Sequence, residues 1–402
     1  YGYDMTGVVG VNNEKLIAFC QDLIRLKSLS GNEQAVAERI IREMRELGYD
    51  EIRSDQYGNV IGKLNGDGRR SILFEGHMDI VDVPDAAAWS VDPFGAVIKD
   101  GRLYGRGAAD MKAALAAMIH GAATSKGTRT GADIWVVAVV YEEVFEGVGF
   151  GKVLDHIAPD AVVLGEPNNL EIAIGQKGRA EIILETIGVN AHSAHPERGV
   201  NAIDQMVRLL HHLRKTPPAV SPQLGEGIMV ATDMISSPYP GTSIIPSRCR
   251  VTLDRRLLED EDRESVLAPI RSTIDTLESL DPSFKAEVSY AREALPTYTG
   301  ESLTSERFYP GWYLDEEDFL VLAAKKVYSD MGLDPLVRTY QFCTDGSESA
   351  GNRHIPTIGI GPGKVGQAHV VDEYVEIQQI LLVAEIYGRL AAEYWNPSCK
   401  GS

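Results

Sequence analysis

The chain has 402 residues, with 39 Lys and Arg against 58 Asp and Glu, a formal net charge of −19 at pH 7. Such a surface repels a polyanion and offers few cations to displace phosphate counterions, so no nucleic-acid partner is expected. The 44% hydrophobic and 24% charged residues are those of a globular protein, the length predicts two domains, and no apolar run approaches the ~18 residues of a membrane span.

Residues 1–15 mix Asp, Asn and Gly with short apolar pieces and lack the basic-then-apolar order of a secretory signal, so a cytoplasmic location is expected. Cys20, Cys249, Cys343 and Cys399 lie far apart with no Cys-x-x-Cys pair, which indicates neither a disulfide framework nor a thiolate zinc site. Val36, Ile40, Met44 and Leu47 share one helical face and Gly48 follows, which predicts an amphipathic helix over 33–47. The apolar runs 71–74, 134–141 and 161–164 are short, continuous and partly β-branched, as in strands buried on both faces. An Ala-, Met- and Leu-rich helix over 111–123 separates the first two. Strand, helix, strand order predicts an α/β fold with a mixed, mostly parallel sheet flanked by helices.

The middle of the chain has another pattern. Residues 180–188, 228–236, 248–257 and 285–290 read as strands, and 200–215 and 262–280 as helices, the order of a ferredoxin-like α+β unit. Cys249, Val251 and Leu253 alternate with Arg250, Thr252, Asp254 and Arg256, so one face of that sheet is buried and the other available. The helical pattern resumes over 316–331 and a strand over 355–360. The expected organisation is a discontinuous catalytic domain, 1–178 with 293–402, around an inserted domain, 179–292.

Ionisable residues stand where the buried strands stop: Glu75-Gly-His77-Met-Asp79, Glu142-Glu143 and Gly165-Glu166-Pro167. Open α/β sheets bind ligands at that edge. Asp110 closes Gly105-Arg-Gly-Ala-Ala-Asp110 just before a helix, and could be either a helix cap or a site residue. His369 follows the glycine-rich run Gly361-Pro-Gly-Lys-Val-Gly366. Two His and several acids at one sheet edge would bury uncompensated negative charge, and metal ions supply the compensation. Nitrogen and oxygen ligands without Cys suit zinc, with cobalt or manganese possible. A bridging Asp110 could hold two metals about 3.5–4 Å apart, each completed by one His and one Glu. Asp79, two residues from His77, is placed to accept its other ring N–H. In Glu142-Glu143 neighbouring side chains diverge, so one can ligate while the other serves as general base.

The motifs around His77, Asp110, Glu142-Glu143 and Glu166, with Ala368-His369 as the fifth, resemble the dinuclear zinc aminoacylase and carboxypeptidase family, peptidase family M20, from about Asn13 to Trp395. The family includes acetylornithine deacetylase, succinyl-diaminopimelate desuccinylase, glutamate carboxypeptidase and aminoacylase. The resemblance implies a zinc-peptidase-like catalytic domain and two zinc ions per chain, one on His77, Asp110 and Glu166, the other on Asp110, Glu143 and His369. It makes Glu142 the base, and Asp79, as the acceptor for His77, counts with it among the catalytic candidates. Glu166, where others carry Asp, is similar to the deacetylase and desuccinylase side. The segment from Gly188 to Ala202 resembles the one whose His, here His192 and not His195, reaches a partner subunit's active site and supports the oxyanion; residues alone would leave His192 a surface-turn histidine. Arg256 resembles a substrate-carboxylate clamp, with a salt bridge to Asp254 as the alternative. Thr344-Asp-Gly346 and the Gly361–Gly366 loop resemble substrate-facing backbone, which adds Thr344 and Gly346 to the candidate site.

Ser243-Ile-Ile-Pro246 stands where the family often has Asn-x-Ile/Val-Pro, which leaves the substrate open. Pro246-Ser-Arg-Cys and Leu253-Asp-Arg-Arg256 are most similar to the hydrolase branch linked to selenium metabolism. The function implied is a zinc-dependent deacetylase-like amidohydrolase acting on an N-acyl amino acid. A dipeptidase or carboxypeptidase on the same site, and a non-catalytic binding protein, are the alternatives. A homodimer formed through the inserted domain is expected, because its sheet leaves pairing edges.

Overall fold

The structure, a computed structural model, describes residues 10–126 and 132–393. Cys399 and the far end of the family resemblance at Trp395 lie outside these residues.

Two sheets organise the chain. The larger runs in the order Glu51–Ser54, Val60–Leu64, Asp133–Val139, Ser71–His77, Ala161–Leu164, Thr357–Gly359, Ile172–Gln176, Trp312–Tyr313, with Val337–Tyr340 also paired to Ile172–Gln176. Its centre is parallel: Asp133–Val139, Ser71–His77, Ala161–Leu164 and Thr357–Gly359 all point the same way. The continuous apolar runs follow from burial on both faces. Ile72 and Phe74 pack into a core under the helices Asn13–Arg25, Ala113–Ala123 and Ile377–Glu393, while Leu73 packs into a second core with Phe150 and Val153 of the helix Val148–Leu154. The helix Gln34–Leu47 ends on Gly48 in the left-handed conformation, φ 76°, which a residue without Cβ adopts at little cost.

The smaller sheet is antiparallel, in the order Ile228–Ser237, Arg248–Leu257, Gly178–Ile187, Ala286–Tyr290, the strand order of a ferredoxin-like unit. Phe308–Tyr309, from beyond residue 292, also pairs with Gly178–Ile187. Helices Ala202–Leu213 and Arg263–Leu280 cover one face, and Leu184, Val251, Leu209 and Ile274 belong to a core of its own. Strand Arg248–Leu257 alternates exposed and buried residues along its first half, as its sequence implies, whereas the outer strand Ile228–Ser237 is exposed along nearly its whole length. Among the described residues no helix is long and apolar enough to cross a membrane. Cys20, Cys249 and Cys343 are free and buried.

Candidate metal centre

The parallel strands end side by side, so the residues that follow them meet. Ser71–His77 ends on His77, Ala161–Leu164 leads into Glu166, and Asp133–Val139 runs through Tyr141, in the left-handed region at φ 66°, to Glu142 and Glu143. Asp110 is no helix cap: the following helix begins at Ala113 with Lys112 as its cap residue, and Asp110 lies before it in extended backbone, φ/ψ −125°/95°. The N–H groups of Ala109 and Asp110 donate to buried Glu373, which also pairs with Arg106.

His77 Nε2 lies 3.0 Å from Asp110 Oδ1, and His369 Nε2 lies 3.2 Å from Asp110 Oδ2 and 3.0 Å from Glu143 Oε2. Glu166 Oε1 is 3.9 Å from His77 Nε2. Two donor sets result, His77, Asp110 and Glu166, then Asp110, Glu143 and His369, each with ligand atoms within 4.8 Å of one another. Glu142 ligates in neither; its Oε2 is 3.9 Å from His77 Nε2, so the two neighbouring glutamates do diverge.

Asp79 serves differently from the expectation. His77 Nδ1 is 2.9 Å from the Asp79 backbone carbonyl and 3.6 Å from its carboxylate, so the carbonyl orients the ring. The carboxylate instead accepts the N–H groups of Glu142 at 3.1 Å and Glu143 at 3.2 Å and the Ser30 hydroxyl at 2.6 Å. Asp79 thereby fixes the turn that presents both glutamates.

The charges strain against burial. Burial, reinforced by the charge of Glu166, holds Glu142 well above the usual carboxylate range, and burial with Asp110 does the same to Glu166. Hydrogen bonds to Asp110 and Glu143 push His369 up to about 10. Asp110 goes the other way: burial alone would raise it, but His369 and His77 hold it below the usual range. Oxygen and imidazole donors, grouped in threes and joined by one carboxylate offering an oxygen to each side, fit a pair of divalent cations, and cations would relieve the buried negative charge.

A cavity of about 400 Å³ opens over the cluster, lined by Glu142, Glu143, Arg256, Phe342 and Cys343 among others. Arg256 thus reaches the cavity and also keeps its salt bridge, Nε to Asp254 Oδ1 at 3.0 Å. Thr344 and Gly346 are not in the lining. They are buried, with the Thr344 hydroxyl bonding Gln176 and accepting the Gly346 N–H, and the neighbouring Phe342 and Cys343 line the cavity. His192 is exposed on the smaller sheet's loop, bridged to Ile244 and accepting the Ala194 N–H, and is not brought to this cavity within the chain. Glu146 and Arg179 line the cavity and were not foreseen; the charged Lys177-Gly178-Arg179 run at the sheet junction was the one available signal.

Residues 73–393 match peptidase family M20/M25/M40. The chain belongs to that family. It is 30% identical over 379 residues to the uncharacterised protein YgeY of Escherichia coli strain K12, covering 92% of each chain. It is 31% identical over 400 residues to a succinyl-diaminopimelate desuccinylase of Cereibacter sphaeroides, covering 94% of this chain and 99% of that one. In structure it is similar to aminopeptidase PepT of Bacillus cereus, TM-score 0.75 at 21% identity over 96% and 99% of the two chains, a likeness of fold. The M20 family expected from the motifs is thus the one found, and the chain is an M20 metallo-hydrolase of amide or peptide bonds.

Proposed function

We propose that this M20 hydrolase binds two zinc ions, with cobalt or manganese as substitutes, and removes the acyl group from an N-acyl amino acid. The observation that carries the reading is two donor sets joined by Asp110, all but the buried His77 lining one cavity that Glu142 and Arg256 also line. His77, Asp110 and Glu166 would hold one ion and Asp110, Glu143 and His369 the other. Bound there, divalent cations supply Lewis acidity toward an amide carbonyl and water. Glu142, buried beside both donor sets and a member of neither, takes the proton of the attacking water and returns it to the leaving amine. Asp79 holds the Glu142-Glu143 turn in register through its N–H groups. Arg256 receives the substrate carboxylate with the guanidinium nitrogens left free by Asp254.

Residues 179–292 act in this reading as an inserted lid and dimerisation domain on a catalytic domain of 1–178 and 293–402. The exposed outer strand, with Val230 52% and Ile235 53% exposed, supports pairing with a second copy. His192, exposed within one chain, then supports the oxyanion of the partner's site. Three free buried thiols accord with a reducing, cytoplasmic setting. The desuccinylase relative supports acyl removal, while the aminopeptidase fold neighbour keeps a dipeptidase or carboxypeptidase as the second reading.

The test is amine release from a panel of N-acetyl amino acids and dipeptides by zinc-loaded protein, before and after chelation. Chelator-sensitive release from the acyl substrates supports the deacylase, and release from dipeptides alone supports the peptidase. No release from either by protein holding two zinc ions overturns both substrate assignments.

A further inference from the structure

A hairpin ties the smaller sheet to the body of the larger one. The chain leaves the smaller sheet at Tyr290, pairs Arg292–Pro296 with Ser302–Glu306, and returns to that sheet at Phe308–Tyr309. The hairpin's root is bonded to the strand Gly178–Ile187: Ala291 N–H donates to the Glu181 carbonyl, and Glu181 N–H to the Arg307 carbonyl. Its far half belongs to the large body. Leu303 is fully buried in the core that holds Ile72 and Phe74, and Leu295 and Tyr298 pack against that core. At the tip, the Tyr298 hydroxyl donates to the Gly58 carbonyl at 2.8 Å and the Thr299 hydroxyl to the Gln56 carbonyl at 2.7 Å.

Between root and tip the hairpin meets the turn that carries Glu142 and Glu143. The Phe145 N–H closes that turn on the Tyr141 carbonyl at 2.8 Å. Tyr141 itself lies in the left-handed region, which a bulky side chain keeps only where its surroundings hold it. Both ends of the turn are held. Before the glutamates, the Tyr141 hydroxyl donates to the Pro296 carbonyl at 2.6 Å. After them, Arg307 Nη1 donates to the Val144 carbonyl at 2.6 Å, and its guanidinium lies 4.8 Å from the Phe145 ring centre. Arg307 is 8% exposed, pairs with Glu293 through Nη2, and lies 3.6 Å through Nε from Glu181 of the smaller sheet. Asp79 grips the middle of the turn from the large sheet, so the hairpin and Arg307 complete its fixation from the other side.

We infer that Arg307 and the Tyr141–Pro296 bond position Glu142: the hairpin is a brace that fixes the Glu142-Glu143 turn against the metal donor sets and, through Glu181, ties its position to the seating of the smaller sheet. This rests on Glu142 as general base in the reading above. Arg307 and Tyr141 line no part of the metal cavity, so they are positioning residues and not catalytic ones. A guanidinium meets a carbonyl, a ring face and two acids at once, a combination that a lysine ammonium reproduces only in part.

Arg307→Met keeps the length of the side chain and removes every donor. In zinc-loaded protein, its amide hydrogen exchange should quicken by about tenfold or more over 142–146 and stay at the wild-type level over the strands Ser71–His77 and Asp133–Val139. With zinc saturating, on the fastest substrate of the acyl and dipeptide panel, kcat should fall by about 10–10² while KM stays within about twofold. Tyr141→Phe should cost less, and Arg307→Lys should recover part of the loss. In Glu142→Ala protein, adding Arg307→Met should change the residual rate by less than about twofold, because no base is left to place. Should Arg307→Met fail to fold, Arg307→Lys and Tyr141→Phe carry the same comparisons. Faster exchange confined to 142–146 supports the brace even where no panel substrate is turned over. Unchanged exchange there overturns it, as does a loss of equal size with and without Glu142. Full turnover by Glu142→Ala overturns the base assignment, and the positioning role with it.

Discussion

The carboxyl edge of the large sheet and the outer edge of the small sheet are both incomplete in a single chain, and in opposite ways. At the first, Asp110, Glu142, Glu143 and Glu166 crowd buried negative charge around two imidazoles, and the missing component is positive charge. At the second, Ile228, Met229, Val230, Met234 and Ile235 are exposed on a strand paired along one edge only, which leaves apolar surface and the backbone groups of its other edge uncovered. The physics that leaves each edge unsatisfied also specifies what completes it. Ions answer a buried charge deficit, and a second sheet edge answers an open one.

The largest effect separates the residues of the first edge from one another. Asp110→Ala removes the carboxylate common to both donor sets, so both ions should be lost and hydrolysis should fall to background. Glu142→Ala removes no ligand, so metal content should stay at the wild-type level while kcat falls by about 10²–10⁴. Metal analysis beside the turnover assay checks both, and equal metal loss in the two variants would make Glu142 a ligand and leave the base unassigned.

How much of this edge the sequence displays depends on range. His77, Glu143 and Glu166 follow apolar strands whose continuity is a local pattern, and parallel neighbours must end together, so their convergence could be read. The partners that hold them could not. Asp79 grips Glu142 from 63 positions away and Glu373 grips Asp110 from 263, through backbone N–H groups that leave no mark on residue type. The Thr344 hydroxyl bonds Gln176, again a long-range pairing, which the resemblance that named Thr344 does not display. Likewise no local signal shows that the helix after Asp110 begins only at Ala113, with Lys112 rather than Asp110 at its cap.

The second edge is broken by charge rather than by removing ligands. Val230→Lys combined with Ile235→Lys should yield a protein of half the mass in light scattering, with metal content retained. Hydrolysis should fall with it, by about 10²–10³, because His192 would no longer reach a partner's cavity. Mixing His192→Ala with Glu142→Ala, each nearly inactive alone, should restore about a quarter of wild-type activity, since random pairing gives half mixed dimers with one intact site each. An active monomer, or mixing that restores nothing, would remove the partner's contribution and confine the comparison to the metal edge.

A closed charge cluster in the same body provides the contrast that sharpens the first edge. Glu43 accepts from Arg39 at 2.7 Å and faces His120 Nε2 at 2.9 Å, and the Arg39 guanidinium rests 4.6 Å from the Phe19 ring centre. Burial would raise the Glu43 carboxyl, but His120 and Arg39 outweigh it and hold it below its ordinary 4.5. A lowered carboxylate stabilises the fold above its unfolded value, and that contribution is lost as pH falls through the lower folded value. Glu142 and Glu166, raised by burial, behave oppositely without metal: their neutral forms suit the fold below about 4.5, and the advantage is lost as pH rises toward their folded values. In chelated protein, Glu43→Gln should therefore cost about 1–3 kcal/mol at neutral pH, by removing the carboxylate charge that Arg39 and His120 share and leaving Asp22 as the one carboxylate on Arg39. The gap from wild type should close below pH 4.5 as Glu43 itself becomes neutral. Adding zinc should stabilise both proteins alike, because the cluster at Glu43 is complete without it. Denaturant unfolding across pH, with and without chelator, measures all three, and a zinc-dependent gap would mean that the two clusters are one coupled network.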